Sequence, residues 1–254
     1  MQDLEDFRRQ FYFNPAYRGY VGVEREMFLV DEHSRPVPKS PQFLEAAGDS
    51  GAWTYELSAC QVEHRTPRLP INVRPLRFAL YHGALVGQEA AAKADCRLVC
   101  LEVAPADMCL DIYPHDKRYA RIKDSLPREK LAAACRVTGT HLHFGMGSLE
   151  EALVAYNRLV PMVDHLLELG DHSQGRRLEL YRLVAGHSRP PIYRSVEHFH
   201  EQAVARGFDR NPRDCWDLIR ISHHGTVEVR CFGVTGDCDE IISWITACRT
   251  RIPS

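Results

Sequence analysis

The chain has 254 residues, 44% of them hydrophobic and 26% charged, which is enough apolar material for a sizeable buried core in a soluble protein. The 32 Lys and Arg residues nearly balance the 34 Asp and Glu residues, and a net charge of -2 excludes a long-range attraction to nucleic acid or to an anionic membrane. No apolar run reaches transmembrane length, the N-terminus lacks signal-peptide character and the nine cysteines include no CxxC pair, so we expect a cytoplasmic protein with reduced thiols.

The first half of the chain predicts strands that alternate with helices. Tyr20–Val30 has the composition of a strand, and Ser40-Pro41 begins a short helix that runs to about Gly48. Residues Trp53–Arg65 are expected to be extended. Asn72 is placed to cap a long helix through Ala94, and a strand over Arg97–Ala104 follows.

The second half continues with helices around two further strand regions. Its predicted elements are helices Asp116–Leu126 and Arg128–Ala133, strand Cys135–Met146, helix Leu149–Leu169 kinked at Pro161, helices Gly175–Ala185 and Ser195–Arg206 around an irregular stretch from Gly186 to Tyr193, the hairpin Trp216–Ser222 with Thr226–Phe232, and helix Glu240–Arg249. Strands interleaved with helices in this way indicate an α+β fold, with an antiparallel sheet covered by helices on one face.

Two glutamates share one face of the first predicted strand. Alternation along the strand puts Glu24 and Glu26 on one face, and Val23 and Met27 on the other. Like charges side by side destabilise a sheet, and a divalent cation between them would offset the repulsion. The alternative is a solvent-exposed face on which Arg25 and other bases balance the charge.

Glu56 and Glu63 are a second pair of candidates, in the extended segment. Their spacing of seven residues puts them on opposite faces of a regular strand. They converge only if a bulge, or a bend near Ser58-Ala59, re-aims one of them. Without such an irregularity they are unrelated surface glutamates.

His141 and His143 share a face of the strand that follows, with Leu142 and Phe144 on the core side. Imidazoles next to glycines, where backbone can approach a ligand closely, indicate a ligand or metal site; the alternative is a pair of hydrogen-bonded sheet histidines. Although H-x-H also occurs in zinc hydrolases, the other candidate ligands are mostly carboxylates, and hard oxygen ligands suit Mg²⁺ or Mn²⁺ better.

Glu228 and Arg230 share a face of the last predicted strand. A same-face ion pair explains them without any ligand. The functional interpretation gives Glu228 to a metal and Arg230 to a phosphate, which the planar guanidinium binds well.

The order of these motifs along the chain is itself informative. Four segments carry it: G-V-E-x-E-x-F-L-V-D (Gly22–Asp31), E-L-x-x-x-Q-V-E-x-x-T-P (Glu56–Pro67), R-V-x-G-T-H-x-H-x-G (Arg136–Gly145) and G-T-V-E-V-R (Gly225–Arg230). Shorter agreements lie between them, at Arg118-Tyr119, Gln174–Arg176, Tyr181-Arg182 and Trp216-Asp217. Over about residues 20 to 235, the chain resembles the carboxylate–amine ligase branch of the glutamate–cysteine ligases, family 2.

The resemblance implies a glutamine synthetase-like catalytic fold, with residues 1–254 as one catalytic domain and with ATP and two or three divalent ions on the sheet face that the helices leave free. The expected metal ligands are Glu26, Glu56 and Glu63 near the acceptor carboxylate, and Glu24, His141 and Glu228 at the ATP phosphates. The expected contacts to phosphate, nucleotide or substrate carboxylate are His143, Arg230, Arg182 and Arg220. The resemblance makes Arg230 and Glu63 the candidate catalytic residues.

The implied reaction begins with attack of a carboxylate oxygen, typically the γ-carboxylate of glutamate, on the γ-phosphate of ATP. An amine then attacks the acyl phosphate and releases phosphate. Mg²⁺ or Mn²⁺ ions and Arg230 would neutralise the charge on the transferring phosphoryl group. The implied partners are a small-molecule acid and an amine, and the family also implies a homodimer.

Some features depart from the family's pattern. The chain stops soon after the last motif, without the C-terminal helical portion of longer members. Arg176 and Arg177 stand where the family commonly has an acidic residue, and Cys231 follows E-V-R where the family often continues to an aspartate. Because the corresponding positions would lie near the amine and the active-site lids, another amine or another acid is open.

Three alternatives remain at this point. A ligase of the same fold could join glutamate to a different amine, as a γ-glutamyl-amine ligase, or a kinase could stop at phosphorylation. A divalent-metal hydrolase using His141 and His143 would act without ATP and bind zinc. A non-catalytic nucleotide- or metal-binding relative is the third, and the retention of all five glutamates argues against it.

Overall fold

The computed structural model describes residues 3–49, 51–185 and 189–253. In these ranges eight strands form one sheet: β1 Tyr20–Val30, β2 Trp53–Tyr55, β3 Gln61–Arg65, β4 Leu69–Pro70, β5 Arg97–Val99, β6 Thr140–Gly145, β7 Ile219–Ser222 and β8 Thr226–Phe232. The α-helices of the same ranges are α1 Leu4–Arg8, α2 Ser40–Ala47, α3 Val73–Lys93, α4 Lys117–Ser125, α5 Arg128–Arg136, α6 Leu149–Leu159, α7 Val163–Gly170, α8 Arg176–Ala185, α9 Val196–Arg206 and α10 Cys238–Arg249.

Strand β1 is the centre of the sheet. The strand order is β2-β3-β1-β6-β8-β7, and the short strands β4 and β5 also pair with β1. All of these pairings are antiparallel. The predicted α+β class with an antiparallel sheet is therefore confirmed.

Side-chain alternation divides the sheet into an apolar face and a polar face. On β1 the buried residues Val21 and Val23 belong to the main core, which also contains Leu80 of α3 and Tyr156 of α6. Helices α3 and α6 thus cover the apolar face, because burying these side chains is what stabilises their position on the sheet. The prediction put helices on one face of the sheet only. The cavity described below lies on the opposite face, and residues of α4, α5 and α8 border it as well.

Arg25 lies on the apolar face of β1 and is 1% exposed. Its guanidinium donates a hydrogen bond to the carbonyl of Leu80 at 2.8 Å and lies 3.1 Å from the Nδ1 atom of His64. A guanidinium on this side of the sheet cannot balance Glu24 and Glu26, which point the other way. The interpretation of these glutamates as a solvent-exposed face neutralised by Arg25 is therefore wrong.

Several element bounds differ from the prediction. The expected extended segment Trp53–Arg65 is two strands with an irregular connection, the expected strand Arg97–Ala104 ends at Val99, and β6 starts at Thr140 because α5 continues to Arg136. The predicted kink at Pro161 is a 3₁₀ turn over Val160–Met162, which separates α6 from α7. Of the irregular stretch predicted from Gly186 to Tyr193, residues 186–188 lie outside the described residues.

All nine cysteines are free thiols, as the absence of a CxxC pair predicts. Among the helices in the described part of the chain, none is both long enough and apolar enough to cross a membrane.

Gly83 of α3 lies against His64 of β3, and it offers a test of this packing. A Cβ atom there would lie 1.9 Å from Nε2 of His64, which is buried and hydrogen-bonded to Arg25. We expect Gly83→Val to lower the free energy of unfolding by about 1–3 kcal/mol, because an overpacked core must shift. Urea denaturation measures this difference. Gly236→Val is the matched control, because its Cβ would meet only Cys100 Sγ at 3.9 Å; equal stabilities of the two variants would contradict the described contact.

Candidate active site

A cavity of about 410 Å³ lies on the polar face of the sheet. Of the predicted site residues, those that line it are Glu24, Glu26, Glu56, Glu63, His141, His143, Arg220, Glu228 and Arg230. They come from five strands and from the connection between β2 and β3. Alternation in the strands therefore brings together residues that lie far apart in sequence.

The acidic end of the cavity is formed by Glu26, Glu56 and Glu63. Each offers a carboxylate oxygen within 4.8 Å of the others. The antiparallel register of β1 and β3 places Glu26 directly opposite Glu63. Like charges in such a pair destabilise a sheet, so this register is costly unless a cation or protons offset it.

An irregular connection brings Glu56 to the same place. After Tyr55 the chain leaves the strand, and the Ser58 hydroxyl accepts a hydrogen bond from the backbone of Cys60. The backbone N–H of Ala59 donates to the carbonyl of Asp111 rather than to a neighbouring strand. The bend near Ser58-Ala59 that convergence requires is therefore present, and it removes the spacing conflict between Glu56 and Glu63.

Burial and mutual repulsion make it unfavourable to ionise these carboxyl groups. Burial and the charge of Glu26 raise the pKa of Glu56 to about 7. Burial and the charges of Glu24 and Glu56 raise the pKa of Glu63 well above its usual range, although Arg65 lies 2.5 Å away and opposes the shift. Ionising these clustered carboxyl groups is unfavourable unless a positive charge lies among them. Their oxygen atoms fit a hard divalent cation such as Mg²⁺ or Mn²⁺.

Glu24, His141 and His143 occupy the middle of the cavity. Glu24 lies opposite His141 in the pairing of β1 with β6, and its carboxylate is 3.7 Å from His141 Nδ1 and 3.1 Å from His143 Nε2. Burial favours the neutral acid, but the charges and hydrogen bonds of the two imidazoles outweigh it and hold the pKa of Glu24 well below its usual range. Glu24 is thus ionised and lies between two imidazole nitrogens.

The residues whose nitrogen and oxygen atoms lie close together are not the expected set of Glu24, His141 and Glu228. Atoms close enough to hold one ion are found in Glu24 with His143 and Glu228, and in Glu24 with His141 and Glu63. In the described ranges, no such group contains both His141 and His143. This arrangement does not favour the hydrolase alternative, which requires both imidazoles on one zinc ion.

Two arginines form the basic end around Glu228. Arg220 Nε and Arg230 Nη1 lie 2.6 and 2.8 Å from its carboxylate oxygens, and Glu228 is 1% exposed. Two residues of β8, Arg230 and Cys231, lie opposite the single residue His141, so a β-bulge sits where Arg230 enters the cavity. Burial favours the neutral acid, but the charges of Arg220, His143 and Arg230 outweigh burial and hold the pKa of Glu228 well below its usual range. This carboxylate therefore stays ionised without a metal.

Arg182 does not belong to this group. It is an exposed residue of α8 and is absent from the described residues that line the cavity. Arg177, five residues earlier on the same helix, lines the cavity instead. It is buried and donates hydrogen bonds to the carbonyls of Thr138 at 2.8 Å and Arg230 at 3.1 Å.

Arg177 has no predicted role, because it departs from the family's pattern. A signal was nevertheless present: a buried helix position carrying a charge needs a reason, and residues of one helix face recur at three and four residues, as Arg177 and Tyr181 do. Further cavity residues without a predicted role come from loops and turns, where periodicity gives no guidance: Arg213, His223 and His224.

No family model matches the chain, but individual proteins do. A Mycobacterium sp. (strain KMS) protein with the provisional name glutamate–cysteine ligase 2-2 is 31% identical, over 91% of this chain and 67% of its own length. A Rubrobacter xylanophilus protein, provisionally named glutamate–cysteine ligase 2-3, is 29% identical over 87% of this chain and 65% of its own length. The Natronomonas pharaonis glutamate–cysteine ligase is 24% identical over 89% of this chain and 67% of its own length. The chain thus spans about two thirds of the length of these relatives.

A solved structure also matches. The crystal structure of a bifunctional glutathione synthetase from Pasteurella multocida aligns with a TM-score of 0.61 at 14% identity, over 91% of this chain and 38% of that chain. At this identity the match establishes a shared fold and no more.

The raised pKa of Glu56 predicts a pH-dependent stability. A folded-state pKa of about 7, against an ordinary value of 4.5, means that its contribution to stability is present below pH 4.5 and is lost as the pH rises through about 7. Without divalent cations, we expect wild type to lose on the order of 1 kcal/mol relative to Glu56→Gln between pH 5 and pH 8.

Thermal unfolding of both proteins at the two pH values measures this loss. Mg²⁺ should raise the Tm of wild type more at pH 8 than at pH 5, because protons compete with the cation, and should stabilise Glu56→Gln less. A pH-independent difference between the two proteins would contradict the crowded acidic end.

Proposed function

This chain belongs to the glutamate–cysteine ligase family, and we propose that it is an ATP-dependent ligase that activates a glutamate-type carboxylate and joins it to an amine. The observation that carries the proposal is one cavity that is lined both by a carboxylate cluster and by a pair of partly buried arginines. The carboxylate cluster suits divalent cations, and the arginines suit phosphate oxygens. A nucleotide triphosphate bound with its metal ions needs both kinds of group side by side.

The basic end is where we place the ATP phosphates. Arg230 and Arg220 are held in fixed positions by Glu228, so little conformational freedom is lost when they bind an anion. Arg177 reinforces this end, since its guanidinium holds the carbonyl of Arg230 and lines the same cavity. Preorganised cations of this kind stabilise charge that develops on a phosphoryl group in transfer.

Divalent ions would be held by Glu26, Glu56 and Glu63 at the acidic end, and by Glu24 with His143 and Glu228 towards the basic end. When bound, Mg²⁺ or Mn²⁺ supplies Lewis-acid polarisation of phosphoryl oxygens and neutralises charge. His141 lies between Glu24 and Glu26 at 3.7 Å from each, so it is a further nitrogen ligand or a hydrogen-bonding partner that orients both carboxylates.

The proposed reaction has two steps. A carboxylate oxygen of the acid forms a bond to the γ-phosphorus of ATP as the bond to the ADP oxygen breaks, and the amine nitrogen then attacks the acyl carbon as phosphate leaves. Arg230 neutralises charge in the first step. Glu63, which lines the acidic end of the cavity, is the candidate for accepting the proton that the amine loses.

We also propose that the sheet is of the glutamine synthetase-like kind. An antiparallel sheet with the site on its polar face, bordered by helices, supports this fold. Glutamate as the acid follows from the family, whereas the cavity itself favours only an acid, an amine and a nucleotide.

Removal of one carboxylate at the acidic end tests the proposal. With Mg²⁺ and ATP, we expect ADP release from wild type only when glutamate and an amine are both present, and we expect Glu26→Gln to lower this rate by about 100-fold or more. A coupled ADP assay over a panel of amino acids measures it. Glu32→Gln, at an exposed position just after β1, is the control. Full acid- and amine-dependent ADP release by Glu26→Gln would refute the site, and ADP release with acid alone would identify a kinase.

A comparison of two arginines tests the placement of the phosphates. Arg230→Met should lower kcat about 10²–10³-fold because a preorganised donor is lost from the transferring group. Arg182→Met should stay within about threefold of wild type, since surface substitutions usually have small effects. Steady-state kinetics decides between them, and equal losses in the two variants would overturn the placement.

A further inference from the structure

The cavity has one wall that the chemistry of phosphoryl transfer does not use. It is apolar, whereas most of the remaining lining is charged or polar. The wall consists of Leu57, Tyr119, Ile122, Leu126, Ala134 and Val137.

Two short helices build this wall. On α4 and just after it, Tyr119, Ile122 and Leu126 recur at three and four residues and so share one helix face. These side chains and Ala134 of α5 pack against the buried cluster of Leu57, Leu131 and Cys135, but they remain only partly buried and line the cavity. Leu57 directly follows Glu56 in the chain, which fixes the wall beside the acidic end.

Tyr119 joins the apolar wall to the carboxylates. Tyr119 lines the same cavity as Glu56 and Glu63, and burial together with the charges of these two acids raises the pKa of its phenol. The guanidinium carbon of Arg118 lies 5.9 Å from the centre of the Tyr119 ring, at the start of α4. Tyr119 thus extends the apolar wall to the cavity that the two acids line.

We propose that the amine substrate carries an apolar side chain, aliphatic or aromatic, that packs on this wall while its nitrogen faces the acidic end. The inference rests on the proposed ligase function. The candidate proton acceptor Glu63 places the amine nitrogen at the acidic end, whereas the ATP phosphates are attracted to the arginines at the other end. The side chain of the amine is then the substrate group that lies against Tyr119, Ile122 and Leu126.

A wall of this composition discriminates by polarity. An apolar side chain gains from leaving water, while a polar side chain of the same shape loses its hydrogen bonds to water and finds no partner among these residues. Leucine and asparagine are a matched pair, since they have nearly the same shape and differ in polarity. We expect kcat/KM for leucine to exceed that for asparagine about 100-fold, and phenylalanine to be accepted as well.

The experiment is amine-dependent ADP release by wild type with ATP, Mg²⁺ and glutamate, measured separately with leucine, phenylalanine and asparagine. Ile122→Asn should lower the leucine-to-asparagine ratio at least about tenfold, because it places an amide on the wall. Lys123→Asn, at the next and exposed position of α4, should retain the wild-type ratio.

The failures are distinguishable. If asparagine serves wild type as well as leucine does, the apolar substrate class is wrong while the ligase remains. If none of these three amines raises ADP release but another amino acid of the panel does, the apolar substrate class is again wrong while the ligase remains; if no amino acid of the panel raises it, the ligase function is wrong and the inference is lost with it. Even if Ile122→Asn does not fold, the ratio of kcat/KM for leucine to that for asparagine in the wild-type protein tests the proposed substrate class.

Discussion

The antiparallel register of β1 and β3 forces Glu26 to face Glu63, and the bent connection before β3 adds Glu56 to them. Repulsion among these carboxylates is a permanent cost in the folded chain, because the cluster is enclosed and water screens it poorly. Arg65 reaches Glu63, but its side chain is half exposed and its contribution is correspondingly screened. The acidic end therefore needs bound protons or a cation, and this requirement gives the cavity its chemistry.

The same sheet solves the opposite problem at its other end. There Glu228 is held ionised by Arg220 and Arg230, so a buried carboxylate organises two cations instead of repelling other anions. If one arginine moved away, the charge of Glu228 would be buried without full compensation. Because this is unfavourable, the three side chains are held in place. The cavity is thus polarised from an acidic end to a basic end, as the joint binding of metal ions and phosphates requires.

Much of this could be read from the sequence because alternation is a local rule. Strand β1 has the predicted bounds Tyr20–Val30, and the shared faces of Glu24 with Glu26 and of His141 with His143 follow directly from it. The convergence of Glu56 with Glu63 depends on a bend whose hydrogen bond reaches Asp111, a long-range partner that local patterns do not reveal. The resemblance predicts Arg182 at the site, whereas the packing of α8, which local patterns do not reveal, brings Arg177 to the cavity instead.

The central claim is that the clustered glutamates bind divalent cations, and electron paramagnetic resonance of bound Mn²⁺ tests it most directly. Titration of wild type should show tightly bound Mn²⁺, and Glu63→Gln should lose at least one bound ion, because Glu63 belongs to two of the possible ligand groups. Glu179→Gln, exposed on α8, should bind as many ions as wild type. The same number of bound ions in wild type and in Glu63→Gln, or no tightly bound Mn²⁺ in wild type, would contradict the account.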